Sequence, residues 1–302
     1  MKLRALVVAA VLAFGCAGGR PAPAAPGASS LSNSGSPSAG LEARVLRLEQ
    51  RLESLSEALD FLAQVYKQQR QAVENERRSQ HDPDARFAVA IDDNLKAGMV
   101  TGSAAAPVTI VMVFDFACPY CDRVHPVMDE LVAEYKNDVR VVYKNLVVHP
   151  QVATDAHLAS CAAAKQGKYA AYAHEVFDKG FRAYAAGRDE SKLAEPNLLK
   201  IAKGIGLDVG KLKKDMHSEA CKALLAADMA EMQKFQVNST PTFFINGHHI
   251  GGALDKGSFK ALIDEELKTA RASGIPGAEY YAKVVIAKGE KQFRSQADRE
   301  ED

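Results

Sequence analysis

The sequence has no excess of charge of either sign: 38 basic side chains face 38 acidic ones in 302 residues. A nucleic-acid binder needs clustered Lys and Arg to neutralise phosphates, so nucleic acid is set aside as a partner. Nor is there an apolar run approaching the ~20 residues that span a bilayer as a helix, which argues against a multi-pass membrane role. Cysteine is scarce, with five in the chain, too few for a disulfide scaffold, so each needs its own explanation. What is present is 47% hydrophobic residues, over a length worth about two domains at ~150 residues each. A core of that size does not depend on disulfides to hold it.

The first 40 residues read as an address. Lys2 and Arg4 precede an unbroken apolar stretch from Ala5 to Gly15, which ends at Cys16. A short basic segment followed by 7–15 apolar residues and then small ones is the layout of a secretory signal. Residues 1–16 are therefore expected to be a signal peptide. Ala13-Phe14-Gly15-Cys16 resembles a bacterial lipobox, with Leu12 one place earlier than usual. That resemblance implies lipidation of Cys16, and plain cleavage near Ala17 is the alternative. Residues 17–40 are Ala, Gly, Pro and Ser apart from Arg20, Leu31 and Asn33. Such a segment has too little apolar surface to offset the entropy of ordering it and is expected to be a flexible linker.

Composition changes at Leu41. Leu41, Val45, Leu48, Leu52, Leu55, Leu59, Leu62 and Tyr66 alternate spacings of four and three, with Glu, Arg, Gln and Ser prominent between them. This 3.5-residue period predicts a coiled coil over residues 41–73 that self-associates; a single amphipathic helix on its own domain would show a broader stripe. No buried Asn fixes the register, so dimer and trimer both stay open. Residues 74–86 are mostly charged, carry Pro83 and read as a hinge.

The chemistry lies further on. Val108 to Phe114 is a nearly continuous apolar run with β-branched residues, the pattern of a strand buried on both faces. It leads through Asp115, Phe116 and Ala117 into Cys118-Pro119-Tyr120-Cys121, and a helical pattern follows. A thiolate at a helix N-terminus is stabilised by unpaired N–H groups and the positive end of the dipole. Cys118 is therefore expected to be a nucleophile with a lowered pKa, and Cys121, one turn later and shielded, its resolving partner. Pro119 suits the first turn of a helix. Haem attachment would need His where Asp122 stands. Structural zinc needs about four ligands, and only His125 shares a helical face with Cys121. No metal site is expected, and a redox role is favoured over metal binding and an inert disulfide.

Some 120 residues later comes Asn238-Ser239-Thr240-Pro241-Thr242-Phe243-Phe244-Ile245-Asn246-Gly247. Thr242–Ile245 and His248–Ile250 read as a hairpin turning at Asn246-Gly247. Pro241, placed immediately before a strand, is either cis or an ordinary trans turn proline.

Phe114-Asp115-Phe116 before CPYC, Gln166-Gly167-Lys168-Tyr169, and Thr-Pro-Thr-Phe-Phe-Ile-Asn-Gly together resemble the exported thioredoxin-fold proteins of the DsbA-like class. The overall plan is most similar to the suppressor-of-copper-sensitivity C type, a DsbA-like domain on an oligomerising helix. The resemblance implies an α/β thioredoxin fold over residues 87–274, with a helical domain inserted at about 151–236. It implies an acid near the cysteines at Asp115. It also implies a cis-proline loop at Thr240-Pro241 facing Cys118, where with Pro119 and Tyr120 an extended substrate peptide would bind. Familiar DsbA oxidases carry His between the cysteines and Val before the cis proline, where this chain has Pro119-Tyr120 and Thr240. Those features are shared with isomerases and reductases. Some relatives staple the insertion with a second disulfide, which here would join Cys161 to Cys221; two free buried cysteines are the alternative. Residues 275–302 read as a further helix and a polar tail, without an assigned role.

The reading is an enzyme of the bacterial cell envelope, in the periplasm and lipid-anchored, that exchanges protein disulfides through Cys118 and Cys121. It works as an oligomeric isomerase or reductase; the alternatives are a simple dithiol oxidase and a tethered module that binds clients or copper. Its expected partners are unfolded or misoxidised exported proteins, a membrane redox partner and further copies of itself. It needs no cofactor, because the two sulfurs carry the electrons.

Overall fold

The structure, a computed structural model, describes residues 37–300; the expected signal peptide, Cys16 and most of the expected linker lie outside the described residues. Two compact units divide at residues 66 and 67. The first described element, α1, runs from Pro37 to Ser79. It starts within the expected linker, because proline costs nothing at a helix start. It also outlasts the apolar seam, ending at Ser79 rather than near Val73. Past the seam the helix is carried by charge pairs: Glu74 meets Arg78 at 2.8 Å and Arg77 at 3.9 Å. Along the first unit every seam side chain from Leu41 to Tyr66 is exposed, from 45% at Val45 to 66% at Leu52.

The segment expected as a hinge is helical to Ser79 and held in place after that. The N–H of Asp82 donates to the Arg294 carbonyl at 3.0 Å, Gln296 N–H donates to the Gln80 carbonyl, and the Arg294 guanidinium pairs with Asp82 at 3.1 Å. Arg86 grips both oxygens of Glu266 at 2.8 and 2.9 Å. The polar tail thus lies back along residues 80–88. Such main-chain pairing leaves no apolar period for a sequence reading to find.

The second unit is built on five strands: β1 Val100–Gly102, β2 Val108–Phe114, β3 Val139–Asn145, β4 Thr242–Ile245 and β5 His248–Gly251. Their order is β1-β3-β2-β4-β5. β2 and β3 are parallel, in register from Val108↔Val139 to Phe114↔Asn145, and the other pairs are antiparallel. Every residue of β2 and β3 is buried, because both sheet faces are covered. The period of two sends Val108, Ile110, Met112 and Phe114 to one core and Val111 and Val113 to the other. A short helix, α2 (Asp92–Ala97), precedes β1. The first core is shared with α3 (Pro119–Tyr135), α10 (Lys256–Ala272) and a helical insertion of α4 (Pro150–Ala164), α5 (Tyr169–Glu175), α6 (Arg182–Gly187), α7 (Glu195–Gly204), α8 (Val209–Met216) and α9 (Glu219–Lys234). Within that insertion Cys161 on α4 and Cys221 on α9 form a disulfide.

The second core takes in Phe87, Val89, Phe235, Tyr281 and Val285. The helical run from Gly277 to Ile286, to which the sequence reading gave no role, therefore covers one face of the sheet. The hairpin turns at Asn246 and Gly247, with φ of 45° and 91°. A Cβ at Gly247 would lie 2.9 Å from the Phe87 carbonyl oxygen, so only glycine fits there. Among the described residues, no helix is long and apolar enough to cross a membrane.

Candidate active site

β2 delivers the chain to the first core and stops at Phe114. The turn that follows is made by Asp115, whose wholly buried carboxylate accepts N–H bonds from Ala117 at 2.7 Å, Val148 at 2.6 Å and His149 at 2.8 Å. Its carbonyl accepts the Cys118 N–H at 3.1 Å. Cys118 is extended (φ −92°, ψ 120°) and caps α3, with Pro119 in the first turn. The Cys118 carbonyl takes the first helical bonds, from the N–H groups of Cys121 at 3.1 Å and Asp122 at 3.2 Å.

Both cysteines are free thiols, in unlike surroundings. Cys118 keeps 4% of its surface exposed and Cys121 none. The Cys118 pKa falls from the ordinary thiol value to about 6. Its largest cause is the hydrogen bond from the Cys121 thiol; burial opposes, and the Thr240 side chain with the N–H groups of Cys121 and Tyr120 adds to the fall. Cys121 moves the other way, pushed well above its ordinary value by burial first and then by the Cys118 sulfur. One sulfur is thus ready as a thiolate near neutral pH while the other holds its proton.

The Thr240–Pro241 peptide is cis. Its Thr240 carbonyl oxygen lies 3.2 Å from Cys118 Sγ and accepts from it while the thiol is protonated. The structure therefore brings together Cys118, Cys121, Pro119, Tyr120, Thr240 and Pro241, although β2 and β4 lie more than a hundred residues apart. Pro119 and Tyr120 are exposed, and the Arg123 guanidinium sits 4.3 Å over the Tyr120 ring. Val148, whose N–H is bound by Asp115, is also exposed, and Asp122 is paired with Arg182 at 3.1 Å.

Asp115 does something other than face the sulfurs as a free acid. Its oxygens are occupied by the backbone bonds above, by His149 Nδ1 at 3.2 Å and by His157 Nε2 at 3.8 Å. Burial would raise its pKa, but the hydrogen bonds it accepts, those of the Ala117 and His149 N–H groups among them, outweigh it and bring the value to about 2. His149 and His157 were not singled out in the sequence. They stand eight residues apart around the start of α4, and nothing in their spacing points back to Asp115. His125, one turn beyond Cys121, is buried between the rings of Tyr143 and Phe177 at 5.8 and 5.1 Å.

Comparison with known proteins agrees with this geometry. Residues 93–265, more than half of the chain, match the family model described as thioredoxin. Among solved structures, the chain is similar to a thioredoxin-like oxidoreductase from Silicibacter pomeroyi, with 31% identity and a TM-score of 0.51 over 59% of this chain and 99% of that one. It is also similar in fold to ScsC of Proteus mirabilis in a transitional conformation, with 17% identity and a TM-score of 0.50 over 74% of this chain and 99% of that one. Among curated proteins it is 32% identical over 170 residues to the Na(+)/H(+) antiporter NhaA 1 of Mycolicibacterium vanbaalenii, covering 55% of this chain and 26% of the antiporter. The chain thus spans about a quarter of the length of the curated relatives it matches.

Proposed function

Because this chain belongs to the thioredoxin family, we propose that it is an exported thiol:disulfide oxidoreductase acting on protein disulfides through Cys118 and Cys121, as an oligomeric isomerase or reductase. The observation that carries the reading is the opposed proton affinity of the two sulfurs beneath a cis-proline loop. The Cys118 thiolate attacks one sulfur of a substrate disulfide; the S–S bond breaks, and the other substrate sulfur leaves as a thiolate. In the resulting mixed disulfide, Cys118 is no longer a charged neighbour of Cys121. Cys121 can then lose its proton and attack Cys118, which closes the Cys118–Cys121 disulfide and frees the second substrate thiol. Two electrons have passed to the substrate, and a membrane redox partner has to return them. If instead a second substrate thiol attacks the mixed disulfide, Cys118 leaves as thiolate and the client's disulfides are rearranged with no net electron transfer.

Two features favour isomerase or reductase over simple oxidase. A Cys118 value of about 6 lies nearer the ~7 of thioredoxin than the ~3.5 of the strong oxidant DsbA, so the reduced form is stabilised less. The exposed apolar seam of α1 is also unfavourable in water unless another copy covers it. Self-association through residues 41–73 would gather several dithiols around one client. Tyr120, Val148 and the Thr240-Pro241 loop offer the surface for an extended, misoxidised or unfolded chain, with the loop pairing to its backbone. The bacterial envelope, with lipid anchoring at Cys16, is the setting this reading requires.

The test is reactivation of a scrambled-disulfide protein in a redox buffer. It compares residues 17–302 with a chain beginning at Lys67, which keeps the second unit whole, and Cys118→Ala serves as blank. Reactivation by the longer chain alone supports an oligomeric isomerase. Rapid oxidation of reduced thiols by the shorter chain, with neither chain reactivating, points to an oxidase. Inertness of both in every assay overturns the reading.

A further inference from the structure

Beneath the dithiol runs a line of buried polar side chains for which the exchange steps have no use. It begins on α9 with Asp228, 1% exposed. Its carboxylate accepts the Lys144 ammonium at 2.8 Å, the Asn94 amide at 3.0 Å, the Asn145 main-chain N–H at 2.9 Å and the Asn145 side-chain amide at 2.7 Å. Lys144 also meets Glu231 at 2.7 Å. Lys144 and Asn145 end β3. From Asn145 the line passes to His157 on α4, whose Nδ1 lies 2.8 Å from Asn145 Oδ1. His157 Nε2 then faces the turn after β2, at 3.4 Å from the Phe116 nitrogen and 3.8 Å from Asp115 Oδ1.

The proton positions along this line follow from donor and acceptor chemistry. A carboxylate paired with a lysine only accepts, so Asn145 must turn its NH2 toward Asp228 and its oxygen away. That oxygen also only accepts, so His157 must carry its proton on Nδ1 and keep the lone pair on Nε2. The lone pair accepts the Phe116 N–H, two residues before Cys118. The carboxylate on α9 therefore sets the tautomer of a ring that touches the active-site turn.

Building on the exchange reading above, we propose that Asn145 and His157 are positioning residues for the dithiol, holding Asp115 and the turn that carries Cys118 in register with the helical insertion. Neither touches a sulfur; they act through Asp115 and Phe116. The charged or titratable groups facing the line are Lys144, Glu231 and Asp228 at one end and Asp115 and His149 at the other. Without the line, the Phe116 N–H loses its acceptor at His157 Nε2, and the turn between Asp115 and Cys118 loses that tie to α4. The N–H groups that favour the Cys118 thiolate then lose their fixed placement.

The experiment titrates the Cys118 thiolate by its ultraviolet absorbance in the reduced full chain. Two substitutions separate positioning from packing. His157→Phe keeps a ring against Phe114 and Phe116, which lie 5.2 and 5.1 Å from the native ring, but makes no hydrogen bond. His157→Gln loses the ring, yet its amide can donate to Asn145 and accept from Phe116. Positioning predicts that Phe raises the midpoint from about 6 by about one pKa unit, a roughly tenfold fall in the thiolate-to-thiol ratio, and that Gln restores it. A Phe variant titrating like the unaltered protein overturns the proposal. In the unaltered protein, 15N spectra of histidine give a reading that needs no variant. Proton on Nδ1 and an Nε2 signal that moves when the dithiol is oxidised are expected; proton on Nε2, or a ring blind to oxidation, overturns the proposal. Disulfide exchange by the unaltered protein is assayed alongside. Its absence removes the exchange reading, whereas normal exchange with an unmoved midpoint in the Phe variant removes this proposal alone.

Discussion

Cys118 and Cys121 stand one helical turn apart at the start of α3 and are thiols; Cys161 and Cys221 stand 60 residues apart on α4 and α9 and are joined. All four are buried, so burial does not separate the pairs. The difference lies in what surrounds the sulfurs. The first pair sits where a strand becomes a helix, beside backbone N–H groups that favour a negative sulfur, and under a loop from another part of the chain. The second pair joins α4 to α9 within the insertion, with small and aliphatic residues prominent beside both cysteines in sequence. One residue type thus has two expected uses, reactivity where a buried strand turns into a helix and cross-linking between two helices, with Cys161 near the end of α4 and Cys221 in the first turn of α9.

The sharpest way to break this comparison is to disable each pair in turn. Cys118→Ala should abolish disulfide reduction by at least about 10³-fold, because the thiolate is the attacking group, while the melting temperature stays close to the native value. Cys161→Ala with Cys221→Ala should do the opposite. On the chain-entropy model, a loop of this length contributes about 4 kcal/mol, so the doubly substituted protein should unfold at much lower denaturant yet exchange disulfides at a near-native rate while folded. Urea titration and an insulin-reduction assay on the same samples check both halves. If the two substitutions cost stability and turnover alike, the pairs are not separate in function.

How far the sequence exposed this division varied along the chain. The redox pair was legible because strand, CxxC and helix are contiguous, and each has a local signature. The thioredoxin fold and the expectation of a helical insertion followed from the family motifs, whereas the strand order came with the structure. The Cys161–Cys221 pairing came only through resemblance, since a 60-residue separation says nothing about distance. Contacts made by main-chain atoms stayed hidden. The tail's bonds to residues 80–88 leave no mark on side-chain pattern, and neither do the His149 and His157 contacts with Asp115. The sheet-covering role of Tyr281 and Val285 was hidden for another reason: a single short amphipathic turn says that it packs, but not on what.

Asp115 offers a smaller effect at the boundary between reactivity and architecture. Its folded pKa of about 2 lies below the ordinary 3.8, so its charge stabilises the fold above about pH 4, and that contribution fades as the pH falls toward 2. The difference corresponds to about 2 kcal/mol. Asp115→Asn should therefore lower stability at neutral pH by about that amount and flatten the stability curve between pH 4 and 2. Denaturant midpoints measured across that range give the answer, and an unchanged slope would mean that the carboxylate is not held by the N–H groups of Ala117, Val148 and His149.

The smallest expected effect concerns Thr240, and it isolates one contributor to the reactive sulfur. The side chain of this residue helps lower the Cys118 pKa, ranking behind the Cys121 thiol, while its carbonyl oxygen lies 3.2 Å from the same sulfur. Thr240→Val keeps the β-branched shape and the carbonyl and removes only the hydroxyl. The rate of Cys118 alkylation by iodoacetamide should follow the thiolate fraction: level well above pH 6 and falling about tenfold per pH unit well below it. In the valine variant the whole curve should move to higher pH by about half a unit, a roughly threefold fall in rate on the acid side. A shift to lower pH would mean instead that the hydroxyl acts as an acceptor toward the thiol, and that the low value of Cys118 is set by its own helix and by Cys121 alone.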